Sequence, residues 1–217
     1  SPSVPSGPIN YSNASGQMKR MMVYAAVAAA VLLAVISYSR NTVRSGKEAR
    51  AKLDCSFLGE IPHENKYKTL TARNQRRKTS ILITSLVTSI RFVETIRKLR
   101  RRVEQHMHGG KVLMVTSLLE NEGKSTIAVN LALAMAQKHE KVLLIDCDLR
   151  KPACHILLEQ KNIPYGVHDV LAGRTEINEA ILQDRKSDLY LLLEKRGNSS
   201  AGDFVASAAM EELLDWA

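Results

Sequence analysis

The chain has 217 residues, 45% of them hydrophobic and 24% charged, with a formal net charge of +9. This excludes a compositionally disordered protein and leaves room for one ordinary folded domain plus further segments. The charge is segmental: residues 1–39 carry net +2, residues 40–102 carry 17 Lys and Arg against 5 Asp and Glu, and residues 103–217 carry 12 against 17.

Residues 1–20 have the Pro, Ser, Gly and Asn content of an extended extracytoplasmic segment. The 19 residues from 21 to 39 contain no charge, about the length at which a helix crosses a bilayer, and predict a transmembrane helix. Lys19 and Arg20 precede it, whereas Arg40, Arg44, Lys47, Arg50 and Lys52 follow it. The positive-inside rule therefore places everything after residue 40 in the cytoplasm. Residues 40–88 are polar and basic and read as a juxtamembrane linker whose charge favours anionic lipid over nucleic acid.

From Ser89 to about Gln105, the apolar residues Ile90, Val93, Ile96, Leu99 and Val103 fall on one helical face. Gly109-Gly110 is expected to end that helix. The apolar run "KVLMVTS" at 111–117 predicts a strand, and "STIAVNLALAMAQKH" after the next loop predicts a helix. Further runs, "KVLLIDCD" and "DLYLLLE", predict two more strands, and residues 204–216 predict a last helix. Strands alternating with helices indicate the α/β class with a parallel sheet.

The loop between the first strand and its helix, "LLENEGKST", matches the second half of the phosphate-binding pattern G-x-x-x-x-G-K-[ST] at Gly123, Lys124 and Ser125, with Leu118 where the first glycine would stand. That second half carries the chemistry. Backbone N–H groups at a helix N-terminus bind phosphate oxygens, the lysine reaches the β and γ phosphates, and the hydroxyl ligates Mg²⁺. Asp146 and Asp148 are separated by one residue at the end of the second strand, so alternation puts both on one side at the C-terminal edge of the sheet. Two such carboxylates could hold Mg²⁺ or accept a proton from an attacking hydroxyl; one could instead cap a helix while the other is solvated. Arg150 could contact phosphate or pair with these acids. Cys147, between them, alternates to the opposite face and is expected in the core. His106 and His108 read as a solvated pair, and Cys55, Cys147 and Cys154 form neither a disulfide framework nor a metal pair.

The stretches "TSLLENEGKST", "VLLIDCDLRKP" and "GVHDVLAGRTEINEAI" resemble the cytoplasmic domain of the bacterial tyrosine kinases of capsular and exopolysaccharide assembly. The Pro-rich segment and span are similar to the end of the chain-length determinant, or polysaccharide co-polymerase, domain fused to some of those kinases. "ETIRKLR" matches the E-x-x-R-x-x-R arrangement at Glu94, Arg97 and Arg100, through which family members associate into rings.

The resemblance implies a P-loop NTPase-like sheet, incomplete here, with flanking helices, and a domain over residues 89–217. It implies ATP and Mg²⁺ as cofactors, with Glu122, Gly123, Lys124, Ser125, Thr126 and Arg150 binding nucleotide. Ser125, Asp146 and Asp148 would serve the metal. Lys124 would stabilise the transferring phosphoryl group, and Asp146 would take the proton from a substrate tyrosine. The implied partners are the membrane, further copies of the chain, protein tyrosine substrates and the polysaccharide polymerase and export machinery, and not nucleic acid.

A Walker B strand and a C-terminal tyrosine cluster are expected of that family beyond residue 217, so residues 41–217 alone are expected to transfer phosphate poorly. The six tyrosines of this chain, Tyr11, Tyr24, Tyr38, Tyr67, Tyr165 and Tyr190, are scattered. Two alternatives stand beside the kinase: an ATPase switch of the MinD/ParA type, disfavoured by the absence of lysine between 118 and 122, and a co-polymerase scaffold with a degenerate nucleotide domain.

Overall fold

Successive side chains of a short sheet pack into two different clusters, one on each face, and that alternation organises the fold. A computed structural model describes residues 14–39, 46–52, 55–65, 80–138, 141–197 and 207–217. The chain divides into two units, Ser1–Phe57 and Leu58–Ala217.

In the first unit, α1 runs over Ala14–Ser39, and its Gly16–Ser37 portion is long and apolar enough to cross a membrane. At 1.5 Å per residue those 22 residues span about 33 Å, close to the hydrocarbon thickness of a bilayer. Val27, Val31, Leu32 and Leu33 are all exposed on it. None of this span is buried by protein, which separates it from the core helix of a soluble domain. The helix begins seven residues before the expected position 21, because nothing from Ala14 to Arg20 breaks it. The prolines assigned to the extracytoplasmic segment lie outside the described residues. A short helix, α2 (Gly46–Lys52), interrupts the stretch read as linker, and the Arg50 guanidinium lies 4.9 Å above the Phe57 ring.

The second unit begins well before the expected boundary at residue 89. Ile81 and Ile83 are buried, and they are held by Asn130, which is wholly buried on α4 (Lys124–Ala136). The Asn130 amide donates to the carbonyls of Ile81 (2.7 Å) and Thr126 (2.8 Å), and its oxygen accepts from the Ile83 N–H at 2.7 Å. Upstream, α3 covers Ile90–Met107, where the helical spacing predicts it. Ser89 caps it by accepting from the Phe92 N–H, while the Glu64 carboxylate accepts from both the Ser89 N–H and hydroxyl. A carboxylate at that end also suits the helix dipole.

The buried face of α3 is formed by Phe92, Ile96 and Val103. Ile90, expected on that face, is 82% exposed; Phe92 takes the inward position two residues later. The helix ends at His108 in the left-handed conformation, followed by Gly109 at φ 86°.

The remaining elements are β1 (Val142–Ile145), α5 (Cys154–Leu157), α6 (Val167–Leu171), α7 (Ile177–Ala180), β2 (Leu182–Gln183), β3 (Leu189–Leu192) and α8 (Ala208–Trp216). The sheet order is β1-β3-β2. β1 and β3 are parallel, with Val142 opposite Leu189 and Ile145 opposite Leu192, whereas β2 is antiparallel to β3. The sheet is therefore mixed, because β2 enters β3 by a tight turn that only an antiparallel pair permits.

Leu189, Leu191 and Leu193 join Val142 and Leu144 against α3, α4 and Ile81-Ile83. Leu192 with Leu143 and Ile145 packs on the other face against α6 and α8, through Val167, Leu171, Met210 and Leu213. The period of two thus gives a three-layer arrangement with helices on both faces.

Residues 111–117 depart from expectation. They form no ladder with any described strand, and Val112, Leu113 and Met114 are exposed at 59%, 39% and 82%. An apolar run becomes a strand only where a neighbour takes its N–H and C=O groups. Among the described strands, β1 uses its one partner, β3, on one side.

Candidate nucleotide site

α4 opens on Gly123, whose φ of 92° is the left-handed conformation that a side chain disfavours, and no side chain caps this end. The first intrahelical bond described there is from the Ile127 N–H to the Gly123 carbonyl. The N–H groups of Lys124, Ser125 and Thr126 are thus left for an anion, with the positive end of the helix dipole behind them. Lys124 stands in the first turn, and Ser125 and Thr126 follow it, half-buried. The loop before the helix is exposed, with Leu118 and Leu119 at 97% and 69%. Glu122, also exposed, accepts from the Leu119 N–H at 3.1 Å and so holds the loop's own shape.

The partner loop leaves β1 at Ile145. Asp146, 3% exposed, accepts from the N–H groups of Asp148 (3.3 Å), Ala153 (3.2 Å) and Cys154 (3.1 Å). One carboxylate thereby closes the loop and holds the start of α5. Burial pushes the Asp146 carboxyl above the usual aspartate range in spite of these bonds. Its ionised form is correspondingly a stronger proton acceptor.

Asp148 is 2.5 Å from the Lys124 ammonium. Burial alone would raise its pKa, but the hydrogen bond to Lys124 and those from the Lys151 and Arg150 amides bring it below the ordinary value. The same bond holds Lys124 above its own ordinary value, against desolvation. A second ion pair, Lys151 to Glu120 at 2.6 Å, joins the same two loops.

Lys124, Ser125, Asp146 and Asp148 are thus brought together at the C-terminal edge of the parallel pair. Arg150 is exposed and makes no ion pair with these acids among the described residues; Lys151 makes the cross-loop pair instead. Cys147, expected in the core, is exposed. The strand ends at Ile145, and the hydrogen bonds that turn the chain inward at Asp146 break the alternation on which that expectation rested.

Lys151, Glu120 and Asn130 went unread in the sequence. Asn130 had a usable signal, since a lone amide inside an apolar helix needs buried partners. His106 and His108 are exposed and bonded through Nδ1 to the carbonyls of Arg102 and His106.

On α3, Arg97 pairs with Glu94 at 2.9 Å, both 46% exposed. Arg100 points into its own domain, 14% exposed and 3.1 Å from Glu104, which also takes Lys138 of the residues following α4.

An uncapped helix start led by a left-handed glycine, a lysine in its first turn and an acidic loop opposite define a P-loop nucleotide-binding domain. The description "AAA domain" matches residues 110–214. The tyrosine-protein kinase wzc of Salmonella typhi is 31% identical over 152 residues, which cover 69% of this chain and 21% of the relative. The kinase domain of Escherichia coli tyrosine kinase ETK superposes with a TM-score of 0.54 at 25% identity, over 71% of this chain and 56% of that one. The BceF tyrosine kinase domain has a TM-score of 0.67 at 21% identity, over 80% of this chain and 70% of that one, and supports the fold. The chain is similar to bacterial tyrosine kinases of the capsule type, and it spans about a fifth of the length of the Salmonella relative.

Proposed function

We propose that this chain is part of a membrane-anchored, ATP-dependent protein tyrosine autokinase that regulates the polymerisation and export of a capsular or exopolysaccharide. The observation that carries this reading is the convergence of Lys124, at the uncapped start of α4, on the loop of Asp146 and Asp148. Two features support anchoring in the plasma membrane with the kinase on the cytoplasmic side: the span in α1, and the five cations within residues 40–52 against Lys19 and Arg20 before it.

The residues fit Mg-ATP: free first-turn N–H groups, a cation, a hydroxyl and two carboxylates lie at one sheet edge. Mg-ATP supplies the phosphoryl group and the counter-charge for its transfer. The N–H groups of residues 123–126 and the Lys124 ammonium bind and orient phosphate oxygens. Ser125, with Asp148, holds the metal. Asp146 accepts the hydroxyl proton of a substrate tyrosine, a role suited to a buried carboxylate whose basicity burial has increased. Arg150 is free to reach phosphate from the rim.

The kinase reading is tested by mapping phosphotyrosine by mass spectrometry on the full-length protein given Mg-ATP, with Lys124→Met beside the wild type. Phosphotyrosine that disappears in the variant is the expected result. Phosphate release that depends on Lys124 without phosphotyrosine would replace the kinase with an ATPase switch of the MinD/ParA type. Neither product, with polymer length unaffected by the substitution, would favour the scaffold.

A further inference from the structure

A carboxylate lies buried at the same sheet edge and takes no part in the chemistry above. Glu194, two residues past β3, is 8% exposed, and no cation among the described residues is paired with it. Its oxygens accept backbone N–H groups: Oε1 those of Lys195 (2.9 Å) and Arg196 (3.2 Å), and Oε2 that of His168 (3.1 Å), in the first turn of α6. It lies so tightly against Gly166 that a Cβ there would fall 2.5 Å from Oε2.

Position 194 lies two residues past Leu192, which ends β3 packed among apolar residues. A leucine there would leave the N–H groups of His168, Lys195 and Arg196 without this acceptor. A charged acceptor instead fixes the path of the chain that follows.

That path leads to the site. Three residues on, the backbone of Gly197 rests against the Arg150 carbonyl, so closely that any side chain at 197 would collide with it, and Pro152 lies beside it. Arg150 and Pro152 belong to the loop whose Asp148 meets Lys124. Asp146 ties that loop at both ends, through the N–H groups of Asp148 and Ala153. Its middle has the turn 195–197 as a backstop.

We propose that Glu194 is a positioning residue for phosphoryl transfer: with Gly166 and Gly197 it sets the 195–197 turn against Arg150 and so fixes Asp148 relative to Lys124. The inference rests on the nucleotide site proposed above. Glu194 touches neither nucleotide nor metal; it acts through the loop, and its loss should therefore appear in the metal-dependent part of binding.

The test is titration of the whole chain with a fluorescent ADP analogue, with and without Mg²⁺. In Glu194→Gln, which keeps size but places an amide donor among N–H donors, affinity without Mg²⁺ stays within about twofold of wild type. The tightening that Mg²⁺ gives falls by about tenfold, the scale seen when partners behind metal ligands are lost. Asp148→Asn shows the same selective loss, and the double variant is no worse than either alone.

Gly197→Ala, which leaves Glu194 in place and presses on Arg150, reproduces the effect and decides the matter if Glu194→Gln does not fold. Equal losses with and without Mg²⁺ in both variants, or no loss in either, would overturn the positioning role while wild-type binding leaves the nucleotide site standing. A wild-type chain that binds no nucleotide would overturn both.

Discussion

The Lys124 ammonium and the Asp148 carboxylate are 2.5 Å apart, with their side chains 32% and 19% exposed. The cation proposed to bind phosphate and an acid proposed to hold the metal pair with one another. Each shifts the other's titration, Lys124 upward and Asp148 downward.

The sign of the resulting pH dependence follows. For Asp148, whose folded pKa is depressed, the stabilisation is present above the ordinary aspartate value of about 3.9 and is lost as pH falls through the folded value. For Lys124, whose folded pKa is raised, it is present below about 10.4 and is lost as pH rises through the folded value. Asp146 has the opposite sign to Asp148. Burial raises its folded pKa, so the folded state takes up its proton first and that group's contribution improves as pH falls. Melting curves of metal-free wild type and Asp148→Asn should therefore differ at pH 7 and converge toward pH 3. A gap that stays constant across that range would show that the pair does not couple to folding.

Replacing Lys124 by methionine removes the one side-chain cation described in the first turn of α4 while keeping its length. Loss of a single charged group aimed at transition-state charge costs about 10²–10³ in rate. Lys124→Met should lower phosphotyrosine formation by at least that factor, with a fall in melting temperature at pH 7 no larger than that of Asp148→Asn, since both substitutions break the same ion pair. Initial rates with Mg-ATP and a thermal scan on the same preparation measure both.

Asn130 makes a separate prediction about the fold. Its side chain satisfies the Ile83 N–H and the Ile81 carbonyl across 47 and 49 residues, inside the core. Asn130→Ala orphans both, and one unsatisfied buried group costs about 1–3 kcal/mol. A loss of about 2–4 kcal/mol in urea unfolding is expected, together with faster hydrogen exchange at Ile83. Unchanged protection at Ile83 would show that residues 81–83 are held by apolar packing alone.

Why some of this could be read in the sequence and some could not follows from range. The α4 start was legible because Gly123, Lys124 and Ser125 are adjacent and their chemistry is local. So was the place of Asp146 and Asp148 beside it, since they follow an apolar run that reads as a strand. What failed depended on neighbours distant in sequence. Residues 111–117 have a strand's composition and no described partner, β2 is two residues long, and Phe92 rather than Ile90 faces inward because the core lies on that side. Asn130 and Glu194 act through backbone groups 26 to 49 residues away, and backbone groups leave no mark on a sequence pattern.

Glu94, Arg97 and Arg100 share one motif, yet the fold treats them differently. Glu94 and Arg97 pair with each other on the surface, each 46% exposed, whereas Arg100 is 14% exposed and engages Glu104. An exposed pair at this spacing on a helix contributes only about 0.2–0.5 kcal/mol to its own domain. If the motif serves self-association, Glu94→Ala with Arg97→Ala should leave unfolding within about 0.5 kcal/mol of wild type while abolishing higher species in sedimentation velocity. Arg100→Ala should cost the domain about 1 kcal/mol, through its lost hydrogen bond and buried stem, whether or not the protein associates. Assembly that survives the double substitution would assign the exposed pair to the helix surface alone and move the interface elsewhere.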